Sequence, residues 1–146
     1  MISYQRNLEW MQMLRYFPVM APEPPSLRVT KEEARVGART IVRLFDVWGL
    51  SDREARELLG GIGQDTWLRW KSNSKIRINR DLGTRLGLLL SIHNSLRIIY
   101  HDKSVGNAWV RKSNEVFQWR TPLDVMMSGT IFSMARVRNY LLAECS

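Results

Sequence analysis

Side chains able to make or break bonds are sparse in this sequence. His93 and His101 are its histidines, Cys145 is its one cysteine, and no carboxylate pair or nucleophile beside a base sits at a spacing that builds a reaction centre. His93 lies on the apolar face of a helical stretch, the setting of a hydrogen-bonded core residue. Gly60-Gly61-Ile62-Gly63 resembles a phosphate-cradling loop, but it follows helical sequence rather than a strand, so that reading fails on context. The chain therefore reads as a non-enzyme with no cofactor and no metal. Groups for noncovalent recognition are plentiful instead. Gln64, Asp65, Leu68 and Arg69 point outward from a short helical segment, Thr66 joins them as a hydrogen-bonding candidate, and Lys71, Lys75 and Arg77 follow. Amides and guanidinium groups on a helix read base edges, and the cations beyond them neutralise phosphates.

The elements that position these residues span Leu50 to Lys71. Ser51 with Glu54 three residues on forms a capping box, and Ala55, Leu58 and Leu59 follow at the spacing of one helical face. Gly60-Gly61 ends that helix, because glycine enters the positive-φ turn without strain. Ile62 plugs the turn, Gly63 is the next N-cap, and Gln64–Lys71 is a second helix with Trp67 and Trp70 inward. Two short helices, a glycine turn and a polar outer face describe a helix-turn-helix whose second helix is free to enter a major groove.

Charge supports a nucleic-acid partner. The 146 residues carry a net charge of +8. Residues 29–63 are neutral, whereas residues 69–85 hold six bases against Asp81 alone. The positive run begins where the second helix ends, as a phosphate footprint would. A single cysteine leaves no internal disulfide and fits a reducing cytoplasm. No apolar run approaches the ~20 residues needed to span a bilayer.

Around this motif the chain reads as helices. Tyr4, Leu8, Met11 and Leu14 suggest a short amphipathic arm, followed by the proline-rich linker APEPPS and suited to packing in a dimer. Thr30 and Glu33 form another capping box, opening a helix that carries Ala34, Ala38, Ile41, Phe45 and Trp48 and closes at Gly49. Arg35, Arg39 and Arg43 on its other side read as a solvated face. Asp81–Tyr100 keeps the 3.6 period for five turns. In the last third, Ser104 is placed as a cap, Thr121-Pro122 opens a short helix closed by Gly129, and Ile131–Ala143 is the final helix with Met134, Val137, Leu141 and Leu142 inward.

The pairing of LLGGIGQDTWLRWK with LLLSIHNSLRIIY, then NAWVRKSNEVFQWRTPLDVMMSG and VRNYL, resembles the Xre/MbcA/ParS family of antitoxins. The likeness covers about Thr30 to Leu142, and Trp119 stands where the family commonly has glycine. It implies a type II antitoxin: a DNA-binding module joined to a helical domain that covers the active site of a RES-domain toxin degrading NAD. It also implies autoregulation of the operon through operator DNA. On the matching motifs, and on the outward face of the final helix, the expected toxin-binding residues are Trp109, Asn114, Phe117, Trp119, Arg120, Arg136, Arg138, Asn139 and Tyr140.

The expected fold is all-α: an arm and linker over 1–28, a helix-turn-helix domain over 29–80 and a toxin-binding domain over 81–146. A cytoplasmic homodimer within a toxin–antitoxin complex, with no membrane partner, completes the expectation. The competing reading is a stand-alone helix-turn-helix regulator whose C-terminal half only dimerises.

Overall fold

The computed structural model describes residues 30–128 and 130–146, all helix and connecting turn. The expected N-terminal arm and the stop at Gly129 lie outside the described residues. Helix α1 spans Lys31–Val47, α2 Asp52–Leu58, α3 Gln64–Lys71 and α4 Arg80–Ile99. Then come α5 (Lys103–Trp109), a single 3₁₀ turn (Glu115–Phe117), α6 (Pro122–Met127) and α7 (Ile131–Glu144). None of the described helices is long and apolar enough to cross a membrane.

Local chemistry sets most of these boundaries. Both capping boxes form: Thr30 with Glu33 opens α1, and Ser51 with Glu54 opens α2. The first three helices end alike. The amide of Leu50 reaches the Phe45 carbonyl, that of Gly61 reaches Arg56, and that of Ser74 reaches Arg69, each after a left-handed residue. This is the Schellman ending, which satisfies carbonyls left over at a helix C-terminus. Gly49 and Gly60 supply the left-handed residue in the first two, and Asn73, at φ +57°, supplies it after α3. Asparagine tolerates that conformation better than most side chains.

Helix α4 is the axis of the body. Leu86, Leu88, Leu89, Leu90 and Ile92 are fully buried along it, because it packs against α1 on one side and against α7 and α5 on others. His93 is buried there too, in the core position its spacing suggests. The C-terminal half then folds back: the amide of Leu123 bonds the Val110 carbonyl at 2.9 Å, tying the first turn of α6 to the end of α5, and α6 packs on α7 and touches α2.

Some details depart from the sequence expectations. Asp102, not Ser104, caps α5, since its carboxylate accepts from the Ser104 amide and hydroxyl. Leu142 is 42% exposed rather than inward, because α7 turns Leu141 and Val137 to the core instead. Arg85 belongs to the basic run but is buried, its guanidinium bonded to Asp81 and aimed at the Leu58 carbonyl. It holds α4 to the end of α2 and adds nothing to an exposed phosphate footprint.

Candidate DNA-reading and partner-binding surfaces

Helix α3 is held from behind. Trp67 and Trp70 are buried, the Trp67 ring lies 6.0 Å from that of Phe45, and the Trp67 indole donates to Asp52 at 2.8 Å. That hydrogen bond, with a second from Lys71 at 3.2 Å, keeps the Asp52 carboxyl below the usual carboxylate range. The guanidinium of Arg56 donates to the Ile62 carbonyl at 2.9 Å, which pins the turn between the two helices. Gly60 sits at φ +86°, and a Cβ there would come within 3.0 Å of the Arg85 guanidinium. The turn is therefore closed to larger residues by both conformation and space.

Among the expected DNA-reading residues, Gln64, Asp65, Leu68, Arg69, Lys75 and Arg77 are exposed and Thr66 is half-buried. Leu68 is 49% exposed at the middle of the outer face. Arg69 donates to the Thr66 hydroxyl at 3.1 Å, so these two share one position on the helix. Lys71 is turned back to Asp52 and braces α3 against α2.

The expected toxin-binding residues divide into an inner and an outer set. Trp109 and Phe117 are buried in this chain, where they meet Tyr140. The Trp109 and Tyr140 rings stack at 6.2 Å, and Phe117 meets Tyr140 edge-on at 5.5 Å. Asn114 shapes the loop above them: its side chain caps the 3₁₀ turn, and its carbonyl accepts from the amides of Phe117 and Trp119. Gln118 and Trp119 both take left-handed backbone, at φ +57° and +65°. Trp119 is left 68% exposed. The left-handed φ is the physical reason glycine suits this position.

On the outer side, Arg136 lies 5.4 Å over the Phe117 ring and donates to the Val116 carbonyl. Arg120 donates to the Asp124 carbonyl, and Asn139 is exposed. Arg138 is half-buried; its Nε has no hydrogen-bond partner among the described residues, and burial lowers its pKa. Phe132, 85% exposed, was missed by sequence reasoning. It lies one turn before Arg136 and two before Asn139, so extending the outer helical stripe by a turn would have found it. Arg111 was also missed as a positioning residue. It donates to Glu54 and to the Trp48 and Gly49 carbonyls, joining the C-terminal half to the helix-turn-helix.

Two family models match this chain in tandem. Residues 27–91 match the antitoxin Xre-like helix-turn-helix domain, and residues 95–144 match the antitoxin Xre/MbcA/ParS C-terminal toxin-binding domain. The chain belongs to the Xre/MbcA/ParS antitoxin family. An uncharacterized protein of Sinorhizobium fredii, y4oB, is 33% identical to this antitoxin-family chain over 129 residues, covering 87% of it and 95% of the relative. The same fold occurs in the crystal structure of the M. tuberculosis MbcT–MbcA toxin–antitoxin complex. That match has a TM-score of 0.52 at 19% identity and covers 74% of this chain and 92% of the other.

Proposed function

We propose that this chain is a non-enzymatic type II antitoxin that binds and inhibits a RES-type, NAD-degrading toxin by covering its active site. In the same reading it represses its own operon through α3, as a homodimer within a cytoplasmic toxin–antitoxin complex. What carries the reading is the position of the exposed aromatics. Trp119 and Phe132 both fall within residues 95–144, the stretch matched by the toxin-binding model. Exposed aromatics beside arginines are the composition of protein–protein hot spots. Asn114 and Arg120 hold the loop that presents Trp119. Trp109, Phe117 and Tyr140 support it from within, Arg136 sits beside it, Asn139 is exposed on the same side of α7, and the half-buried Arg138 completes the proposed toxin-binding set.

The decisive experiment is to identify the protein that copurifies with this chain and to measure its NAD consumption with the antitoxin titrated in. Full inhibition at a defined stoichiometry is expected. No inhibition, together with retained operator binding, would favour a stand-alone regulator instead.

A further inference from the structure

Beyond α3 the chain forms a wall of a second basic feature. From Lys75 to Asn79 the backbone alternates: Ile76 is buried and Ile78 half-buried, which turns Lys75, Arg77 and Asn79 to solvent. The loop is folded back by two left-handed residues, Asn73 and Lys75, and by the bond from the Ser74 amide to the Arg69 carbonyl. Ile76 thereby forms the floor of an open cleft of about 500 Å³ lined also by Lys31, Glu32, Arg35, Lys75 and Arg77. One wall is the first turns of α1 and the other is the loop. Four cations thus face a space that contains one carboxylate. None of the four makes a side-chain hydrogen bond or ion pair among the described residues.

We propose that this cleft clamps the phosphate backbone of duplex DNA, with Lys31 and Arg35 acting from α1 and Lys75 and Arg77 from the loop. The proposal rests on the reading of α3 as the DNA-reading helix. Its geometry follows from rigidity. The Phe45 and Trp67 rings fix α1 to α3, so a duplex held by α3 meets the cleft at a set distance along its backbone. The loop also runs directly from the C-terminus of α3, so the cations of one wall of the cleft follow that helix within six residues. A single small anion suits it poorly. The cleft is open, and the side chain of Thr30 already accepts from the Glu33 amide in the first turn of α1. Phosphates in series along a strand suit dispersed, exposed cations better. Arg35 thereby leaves the solvated face to which its spacing alone assigns it.

The test uses the full-length protein and two labelled duplexes, one from the region upstream of its gene and one scrambled. Binding is measured across a salt series for the wild type, Lys31→Gln with Arg35→Gln, and Arg43→Gln as a control on α1 outside the cleft. The double variant should lower the slope of log K against log salt by about two on both duplexes, leaving their ratio unchanged. Arg35→Lys should retain the wild-type slope, because a phosphate needs only the charge. Wild-type slopes in a folded double variant overturn the clamp while leaving α3 as the reader. Failure of the wild type to bind either duplex, both alone and in complex with its copurified toxin, overturns the DNA reading and the clamp with it. Competition by inorganic phosphate at constant ionic strength would show a small-anion site and overturn the duplex as occupant.

Discussion

Arg111 and Glu54 are bonded at 2.7 Å although 57 residues separate them, and the same Glu54 oxygen also accepts from the Ser51 amide at 2.9 Å. One carboxylate therefore closes the N-terminus of α2 and receives the C-terminal half of the chain. The Arg111 hydrogen bond is the main reason the Glu54 carboxyl lies below its usual pKa. Arg111 also reaches the Trp48 and Gly49 carbonyls at the end of α1.

These contacts make Arg111→Ala costly for a residue at the surface, by about 1.5–3 kcal/mol, since hydrogen bonds to charged groups and orphaned carbonyls are involved. Glu54→Gln keeps the capping box, which accepts glutamine, and should cost only about 0.5–1 kcal/mol. Urea unfolding of both single variants and the double variant checks this. Strict additivity would mean that the pair does not couple the two halves.

Trp119 gives a prediction in which stability and function move apart. A non-glycine residue in left-handed backbone costs about 1 kcal/mol, so Trp119→Gly should leave the melting temperature equal or higher. If the exposed indole anchors the toxin, the same variant should weaken inhibition by tenfold or more, about 1.4 kcal/mol or above. Differential scanning calorimetry beside a toxin titration reads both. A stabilised variant with undiminished inhibition would remove Trp119 from the interface.

Arg69 and Lys75 should differ in kind. Arg69→Ala is expected to cost about 1–3 kcal/mol at the operator and to relax base preference. Lys75→Ala should weaken specific and random duplexes alike and lower the salt slope by about one. The check is binding to both duplexes, with and without the toxin. Equal losses on specific and random DNA for both variants would remove Arg69 from base reading.

His93 makes stability depend on pH. Burial, with the Arg97 charge nearby, holds its imidazole down to about 4. An unfolded histidine titrates near ~6.5, so between these values the unfolded chain takes up a proton that the folded chain refuses. The stability present at neutral pH is therefore lost as pH falls through 6.5 towards 4. The loss amounts to about 2 kcal/mol between pH 7 and 5. His93→Gln should start less stable and show a flatter profile over that window, measured by denaturant midpoints. Parallel profiles for the two proteins would assign the acid sensitivity elsewhere.

The sequence was most legible where a few neighbouring residues decide the outcome. Ser51 with Glu54, Gly60-Gly61, Gly63 and Thr121-Pro122 each act within one turn of chain, and each stands where expected. It was least legible where distant segments meet. Asp81, one turn before Arg85, is a legible ion-pair partner, but nothing near Arg85 announces the Leu58 carbonyl, and nothing near Arg111 points to Glu54. Trp109 and Phe117 illustrate the same limit. The matching motifs name both as toxin-binding residues but carry no sign that the ring of Tyr140 arrives from α7 and packs on them. Caps too can be misplaced by two residues when Asp and Ser compete, as at Asp102 and Ser104.

The unbroken α4 bears on how such a chain can be inherited. The two matched family segments end at residue 91 and begin at residue 95, and both positions lie inside one helix whose leucines serve both halves. A break there would divide a helix that packs against α1 on one side and against α5 and α7 on others, with buried Leu86, Leu89 and Leu90 on one fragment and Leu96 on the other. The helix-turn-helix and toxin-binding segments therefore share this helix and are not separate cassettes at that junction. Recombination that swaps one specificity must carry the whole helix, and with it part of the other half's core.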